Sequence, residues 1–215
     1  MISKAYCPII VKYSNFNELL YERIHLPKDI KNSVLRRKCE FLAGRKCVKL
    51  AYDLLGISDL SLPAIGQYRE PIWPSNINGS ITHNKDKAAA IISNRNSIYL
   101  GIDIESWFSP EFVSRITKYV LTQNELLMLT KSPNSIKFVT TIFSAKESIY
   151  KCLFSIKKLN FNPKLFNLIK FDRNYLIFSI SESLQAFEPI YPETIKVSYK
   201  IYKYNTETIA IYNSI

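Results

Sequence analysis

From residue 98 to 105 the chain alternates, with Ile98, Leu100, Ile102 and Ile104 at one parity and Tyr99, Gly101, Asp103 and Glu105 at the other. A period of two puts these sets on opposite faces of a β-strand. At ~3.3 Å per residue, Asp103 and Glu105 project the same way from Cα atoms about 7 Å apart. Some forty residues later the period changes. Ile142, Ala145, Ile149 and Cys152 recur at spacings of three and four, which is the buried stripe of a helix. Glu147 and Lys151 lie four apart on a different face. Ser144 and Glu147 have the spacing of a helix-opening capping box.

Other stretches follow the same two periods. Residues 32–55 read as a long helix through Phe41, Gly44, Val48, Ala51 and Leu55, with Gly56 as its stop. Residues 63–79 carry Pro63, Gly66, Pro71, Pro74 and Gly79 and read as a loop. An apolar strand covers 88–93, residues 94–97 form a turn, and 112–129 are helical in part. Within the last of these, Thr122 and Glu125 form a second capping-box pattern. Toward the C-terminus, 168–171, 175–181, 194–204 and 207–212 read as strands, with Asn205 and Thr206 as the hairpin turn joining the last two. A helix with strands in each half hints at duplication, although no sequence repeat supports it.

Composition narrows the class. A chain of 215 residues, 47% hydrophobic, can bury the core of one large domain or two small ones. No apolar run approaches ~18 residues, so no membrane span is expected. The N-terminal stretch lacks the long apolar segment of a signal peptide. The four cysteines (Cys7, Cys39, Cys47, Cys152) show no metal-ligand spacing. They read as reduced, mostly buried thiols of a cytoplasmic protein. A net charge of +11 calls for an anionic partner: nucleic acid, phosphorylated small molecule, anionic membrane or acidic protein. None of the five glycines builds a phosphate-cradling loop.

The acidic strand face and the later Glu–Lys pair have two readings. They form an oxygen ligand set for a divalent cation, or an exposed polar face and a solvated helix pair. Arg69 and Trp73 in the long loop mark a functional segment, or a Trp plugging the core beside a surface Arg. His83 is a structural hydrogen-bonder or a site residue. Arg45 follows Gly44, where another backbone or a ligand can come close.

In order, the segments Glu40-Phe41-Leu42-Ala43-Gly44-Arg45, Arg69-Glu70-Pro71-Ile72-Trp73-Pro74, Gly79-Ser80-Ile81-Thr82-His83, Gly101-Ile102-Asp103-Ile104-Glu105 and Phe143-Ser144-Ala145-Lys146-Glu147-Ser148 with Lys151 resemble the 4'-phosphopantetheinyl transferases. The likeness is to the enterobactin-synthesis type of the surfactin-type class. It implies an α+β fold of two similar halves in a pseudo-twofold arrangement, with coenzyme A in the cleft between them. Residues 1–97 would form the N-terminal half and 98–215 the half holding the metal ligands. The implied reaction moves the 4'-phosphopantetheine arm of coenzyme A onto a serine of an apo carrier protein, releasing adenosine 3',5'-bisphosphate.

By the same resemblance, Asp103, Glu105 and Glu147 bind Mg²⁺, with Asp103 also near the coenzyme. Glu147 is the base, Lys151 stabilises the leaving phosphate, and Arg45, Arg69, Thr82 and His83 contact the coenzyme's phosphates. Lys146 is a further candidate phosphate contact, and Glu125 either approaches the metal or only caps its helix. Where much of the class has Tyr-Gly-Lys-Pro this chain has Tyr68-Arg69-Glu70-Pro71, leaving open which side chain meets the nucleotide. The basic surface gains a partner, an acidic apo carrier protein of siderophore or other nonribosomal-peptide synthesis. A monomer is expected, with no nucleic acid as partner and no membrane span. Two other functions fit the residues alone: a Mg²⁺-dependent nuclease acting on phosphodiesters, and a non-catalytic anion-binding module.

Overall fold

The computed structural model describes residues 1–12, 24–58, 61–158, 160–187 and 191–214. These divide into two compact units, Met1–Asn96 and Ser97–Ile215.

The first unit runs β1 (Ile2–Pro8), α1 (Lys28–Lys31), α2 (Leu35–Leu54), β2 (Ala64–Ile65), β3 (Pro71–Ile72), β4 (Asn78–His83) and β5 (Lys87–Ser93). Strands β1, β5 and β4 form an antiparallel sheet in that order, with Ala5, Ala90 and Ile81 in register. Cys39, Ala43, Cys47 and Ala51, each four apart on α2 and each fully buried, pack with Cys7, Ala88, Ala90 and Ile92 in one core. Small side chains on both surfaces let helix and sheet come close.

Strand β1 has no counterpart in the sequence reading. Its inward residues are Ser3, Ala5 and Cys7, whereas Ile2 and Tyr6 face outward. The hydrophobic alternation is therefore inverted, and pattern reading fails. A bond from the Ser3 hydroxyl to the Ala51 carbonyl (2.7 Å) ties the strand to α2. The helix ends where Gly56 takes φ +67°, a left-handed geometry that suits glycine. The presumed loop of 63–79 contains a short hairpin, Ala64 pairing with Ile72 and Ile65 with Pro71. Trp73 packs partly buried against the core, as a plug.

The second unit runs β6 (Ile98–Ser106), α3 (Pro110–Val120), α4 (Gln123–Thr130), α5 (Ser135–Phe154), a 3₁₀ turn (Pro163–Leu165), β7 (Phe166–Phe171), β8 (Tyr175–Ile180), α6 (Glu182–Phe187), β9 (Thr194–Ile201) and β10 (Asn205–Asn213). Its five-stranded sheet has the order β6-β10-β9-β8-β7, every pair antiparallel. Helix α5 lies across β6 and β10. Val139, Ile142, Ala145, Ile149, Cys152 and Leu153 of α5 are fully buried, each large one worth about 1.5–3 kcal/mol of transfer free energy.

Three expectations change here. Ser144 does not open a helix, because α5 starts at Ser135 with Asn134 capping the Lys137 amide at 2.9 Å. The stripe read from Ile142 onward is the second half of a longer helix. Asn205 and Thr206 do not form the last hairpin turn. They pair with Ser106 and Glu105 in β10, and the Tyr202 amide bonds the Asn205 carbonyl (2.8 Å) across a turn at 202–204. Thr206 is fully buried, which holds it in the strand. Thr122 and Glu125 do make the capping box of α4. The structure is a mixed α+β fold, and no helix among the described residues is long and apolar enough to cross a membrane.

Candidate active site

Gly101, Asp103 and Glu105 share the face of β6 that α5 covers. A Cβ at position 101 would collide with the Ser148 carbonyl oxygen and sit 2.8 Å from the Cys152 amide nitrogen. Only glycine allows this approach, and the approach brings the polar face of α5 onto Asp103. The Lys151 ammonium donates to Asp103 Oδ1 (2.7 Å) and to the Ile102 carbonyl (3.2 Å). Ser144 Oγ donates to Asp103 Oδ2 (2.8 Å). Thr208, opposite Asp103 on β10, donates to the Ser144 carbonyl (2.8 Å) and anchors that turn of α5. Neither Ser144 nor Thr208 was singled out as a site residue. Ser144 read as a cap, and no sequence signal joins position 208 to 103.

The electrostatics show an excess of negative charge. Burial, the Asp103 charge and then Glu147 push the Glu105 carboxyl up to about 8, against the pull of Lys151. Burial and the Asp103 charge also raise Glu147, again opposed by Lys151. For Lys151, desolvation favours the neutral amine, but Asp103, Glu147 and Glu105 together outweigh it and the ammonium is stabilised. One lysine thus offsets three carboxyl groups. Among the described residues, no three or more His, Cys, Asp or Glu side chains are grouped so that they could hold a metal ion. Asp103 is instead engaged by Lys151 and Ser144.

Lys146, next to Glu147, does not point toward a phosphate site. Its side chain is fully buried, donating to Glu125 Oε2 (2.6 Å) and the Val120 carbonyl (2.8 Å). Glu125 in turn accepts from the amides of Thr122 and Leu168, both at 2.8 Å. Glu125 is therefore more than a cap and is no metal ligand here. It joins α4, α5 and β7.

In the first unit, Arg37, Glu40, Phe41, Arg45, Arg69 and His83 line a cleft of about 390 Å³. The Arg45 guanidinium lies 4.5 Å from the centre of the Phe41 ring, one turn back on α2. Burial first, and the Arg37 charge next, lower Arg45 to about 10, which leaves it protonated at neutral pH. Arg37 Nη1 stands 3.2 Å from His83 Nε2. A guanidinium only donates, so Nε2 accepts. Glu40 lies 3.6 Å from Arg37 and 4.0 Å from His83. Arg69 adopts φ +65°, a conformation that costs a non-glycine residue about 1–3 kcal/mol. It does so in a turn closed by Gly66 and Glu70, where the Glu70 carboxylate folds back onto the Tyr68 amide (2.8 Å). Arg69 and Pro71 line the cleft. Thr82 is buried on β4 and does not line it, because alternation puts Ile81 and His83 on the cleft side. Glu40 opens one of the segments that carry the family resemblance, without a role of its own, and no sequence signal singles out Arg37.

Comparison with known proteins matches this layout. A model of the 4'-phosphopantetheinyl transferase N-terminal domain matches residues 26–93, and one of the 4'-phosphopantetheinyl transferase superfamily matches 99–200. The chain is 37% identical over 117 residues to enterobactin synthase component D of Escherichia coli K12, covering 54% of each protein. It is 33% identical over 141 residues to enterobactin synthase component D of Salmonella typhi, covering 64% of this chain and 57% of that one. To the 4'-phosphopantetheinyl transferase PptT of Mycobacterium tuberculosis it is 29% identical over 156 residues, covering 66% and 67%. The chain spans about half the length of the enterobactin synthase components it matches. With the two consecutive family matches covering most of its length, the chain belongs to the 4'-phosphopantetheinyl transferase superfamily.

Proposed function

We propose that the chain transfers the 4'-phosphopantetheine arm of coenzyme A to a serine of an acidic apo carrier protein, as a monomer, releasing adenosine 3',5'-bisphosphate. The observation that supports this most is the uncompensated acidic cluster of Asp103, Glu105 and Glu147 around Lys151. An all-oxygen donor set with more carboxyl groups than cations, in which burial and want of countercharge leave a proton on Glu105 at neutral pH, suits a hard divalent ion such as Mg²⁺. When bound, that ion would neutralise charge on the pyrophosphate. The three carboxyl groups are not grouped around one point, so holding the ion would require them to converge, with Asp103 exchanging its contact with Lys151 for the ion.

Glu147, its carboxyl raised by burial and by Asp103, is better matched to proton transfer near neutral pH than an exposed glutamate. It would accept the proton of the serine hydroxyl as that oxygen bonds to the pantetheine-side phosphorus. The bond from this phosphorus to the bridging oxygen breaks, and the oxygen leaves with the adenosine bisphosphate. Lys151 would meet the charge that develops there. In the first unit, Arg45, Arg69 and His83 offer cationic and ring donors to the nucleotide's phosphates. The pseudo-twofold pairing of halves, and a carrier from siderophore or other nonribosomal-peptide synthesis, belong to the same proposal.

The test is transfer of a labelled pantetheine arm from coenzyme A to apo carrier in the presence of Mg²⁺. Asp103→Ala and Glu147→Ala should abolish it while circular dichroism stays that of the parent. Full activity in both folded variants would end the assignment.

A further inference from the structure

Strands β2 and β3 meet in a hairpin whose last paired residues are Ile65 and Pro71. Beyond them the Gly66 carbonyl accepts the Arg69 amide (3.0 Å), and the Gly66 amide donates to the Glu70 carbonyl (2.8 Å). A three-residue hairpin loop, here 67–69, ends on a residue in the left-handed region, where glycine is the usual occupant. Arg69 takes that place at φ +65°. Glycine would complete the same turn without strain, so the fold does not call for arginine there. What arginine adds is a cation on the cleft wall, in the company of Arg37, Arg45 and His83.

A long exposed side chain sweeps a wide volume unless its root is fixed. The residue after Arg69 fixes that root. Glu70 turns its carboxylate back over the loop and accepts the Tyr68 amide (2.8 Å). The same carboxylate fills the space beside Gly66, where an added Cβ would collide with it. Gly66 has no left-handed φ, so its backbone would suit alanine, and the Glu70 carboxylate stands where that side chain would go. The sign of the charge argues against any direct contact between Glu70 and an anion. A carboxylate next to an arginine of a phosphate site opposes the ligand. Holding the loop accounts for it.

We propose that Glu70 is a positioning residue: by bracing the 67–69 loop it keeps Arg69 left-handed, with the guanidinium held for an anionic group in the cleft. Glu70 acts only through Arg69. The inference rests on the reading of this cleft as the site of the coenzyme's phosphates.

Calorimetric titration of coenzyme A into the intact protein and its variants is the test. Glu70→Ala should weaken binding about fivefold, the scale of one hydrogen bond. In the transfer assay that loss should fall on KM for coenzyme A, with kcat kept. Glu70→Gln keeps an oxygen for the Tyr68 amide and drops the charge, so it should bind at least as tightly as the parent. Gly66→Ala keeps the charge but displaces the carboxylate, and should weaken binding as Glu70→Ala does. In an Arg69→Ala background, itself about tenfold weaker, Glu70→Ala should add no further loss. Any one of four results overturns the inference: Glu70→Ala or Gly66→Ala binding as tightly as the parent, Glu70→Gln losing as much as Glu70→Ala, or a fivefold further loss in the Arg69→Ala background. A parent that binds no coenzyme A overturns the reading of the cleft, and this inference with it. A parent that binds coenzyme A while any of the four results is found leaves that reading standing and removes Glu70 alone.

Discussion

Replacing Lys146 with Met tests how α5 is held in place. The Lys146 side chain is fully buried, and its ammonium reaches Glu125 at 2.6 Å and the Val120 carbonyl at 2.8 Å. Burial works against this ammonium more strongly than Glu125 supports it, so its protonated form is disfavoured relative to an exposed lysine. The substitution leaves the Glu125 carboxylate with two amide donors and no countercharge. Removing one member of a buried ion pair costs about 3–5 kcal/mol. For a chain of this size that lowers the melting temperature by roughly 10 °C. Glu125→Gln keeps an acceptor but deletes the charge, and combined with Lys146→Met it should cost less than the sum of the single changes by about 2 kcal/mol. Chemical denaturation of the four proteins in the cycle measures this. Additivity within about 0.5 kcal/mol would refute the coupling.

That pair also shows what the sequence could and could not reveal. Thr122-x-x-Glu125 announced a helix start, and the cap is present, yet the ion pair of Glu125 with Lys146 spans 21 positions and has no local signature. Strand β6 was legible because its period of two was unbroken, and the same period set Asp103 and Glu105 on one face. Lys151 was legible as a helical neighbour of Glu147, but its bond to Asp103 depends on the close crossing at Gly101. Thr208 was out of reach, since its place beside Asp103 comes from strand pairing across 105 residues. Strand β1 was missed because small residues face inward, and Ser144 was misassigned because α5 extends back to Ser135 through a segment without a clear apolar stripe.

Other outcomes follow from the same geometry. Gly101→Ala should force α5 off β6, costing about 1–3 kcal/mol and breaking the Lys151–Asp103 contact. Thermal melting together with the transfer assay would check this, and an undisturbed variant would contradict the close crossing. Glu105 is raised from an ordinary 4.5 to about 8, so its contribution to stability is complete below 4.5 and lost as pH rises to about 8. The metal-free protein should therefore melt progressively lower across that window, and Glu105→Gln should flatten the trend. Mg²⁺ binding should release protons at neutral pH for the same reason, as calorimetry in buffers of differing ionisation enthalpy would show; no proton release would contradict the shift. Arg69→Ala should weaken coenzyme A binding about tenfold, the scale of one charge-assisted bond, whereas unchanged affinity would remove Arg69 from the nucleotide site.

Intact mass of a candidate apo carrier protein, taken after incubation with this protein, coenzyme A and Mg²⁺, is the most direct measurement. A carrier heavier by one phosphopantetheine group, attached at a serine and absent when Glu147→Ala replaces the parent, is the expected result. Carriers left at their apo mass across a panel of acidic candidates, with the protein folded and coenzyme A intact, would contradict the assigned chemistry.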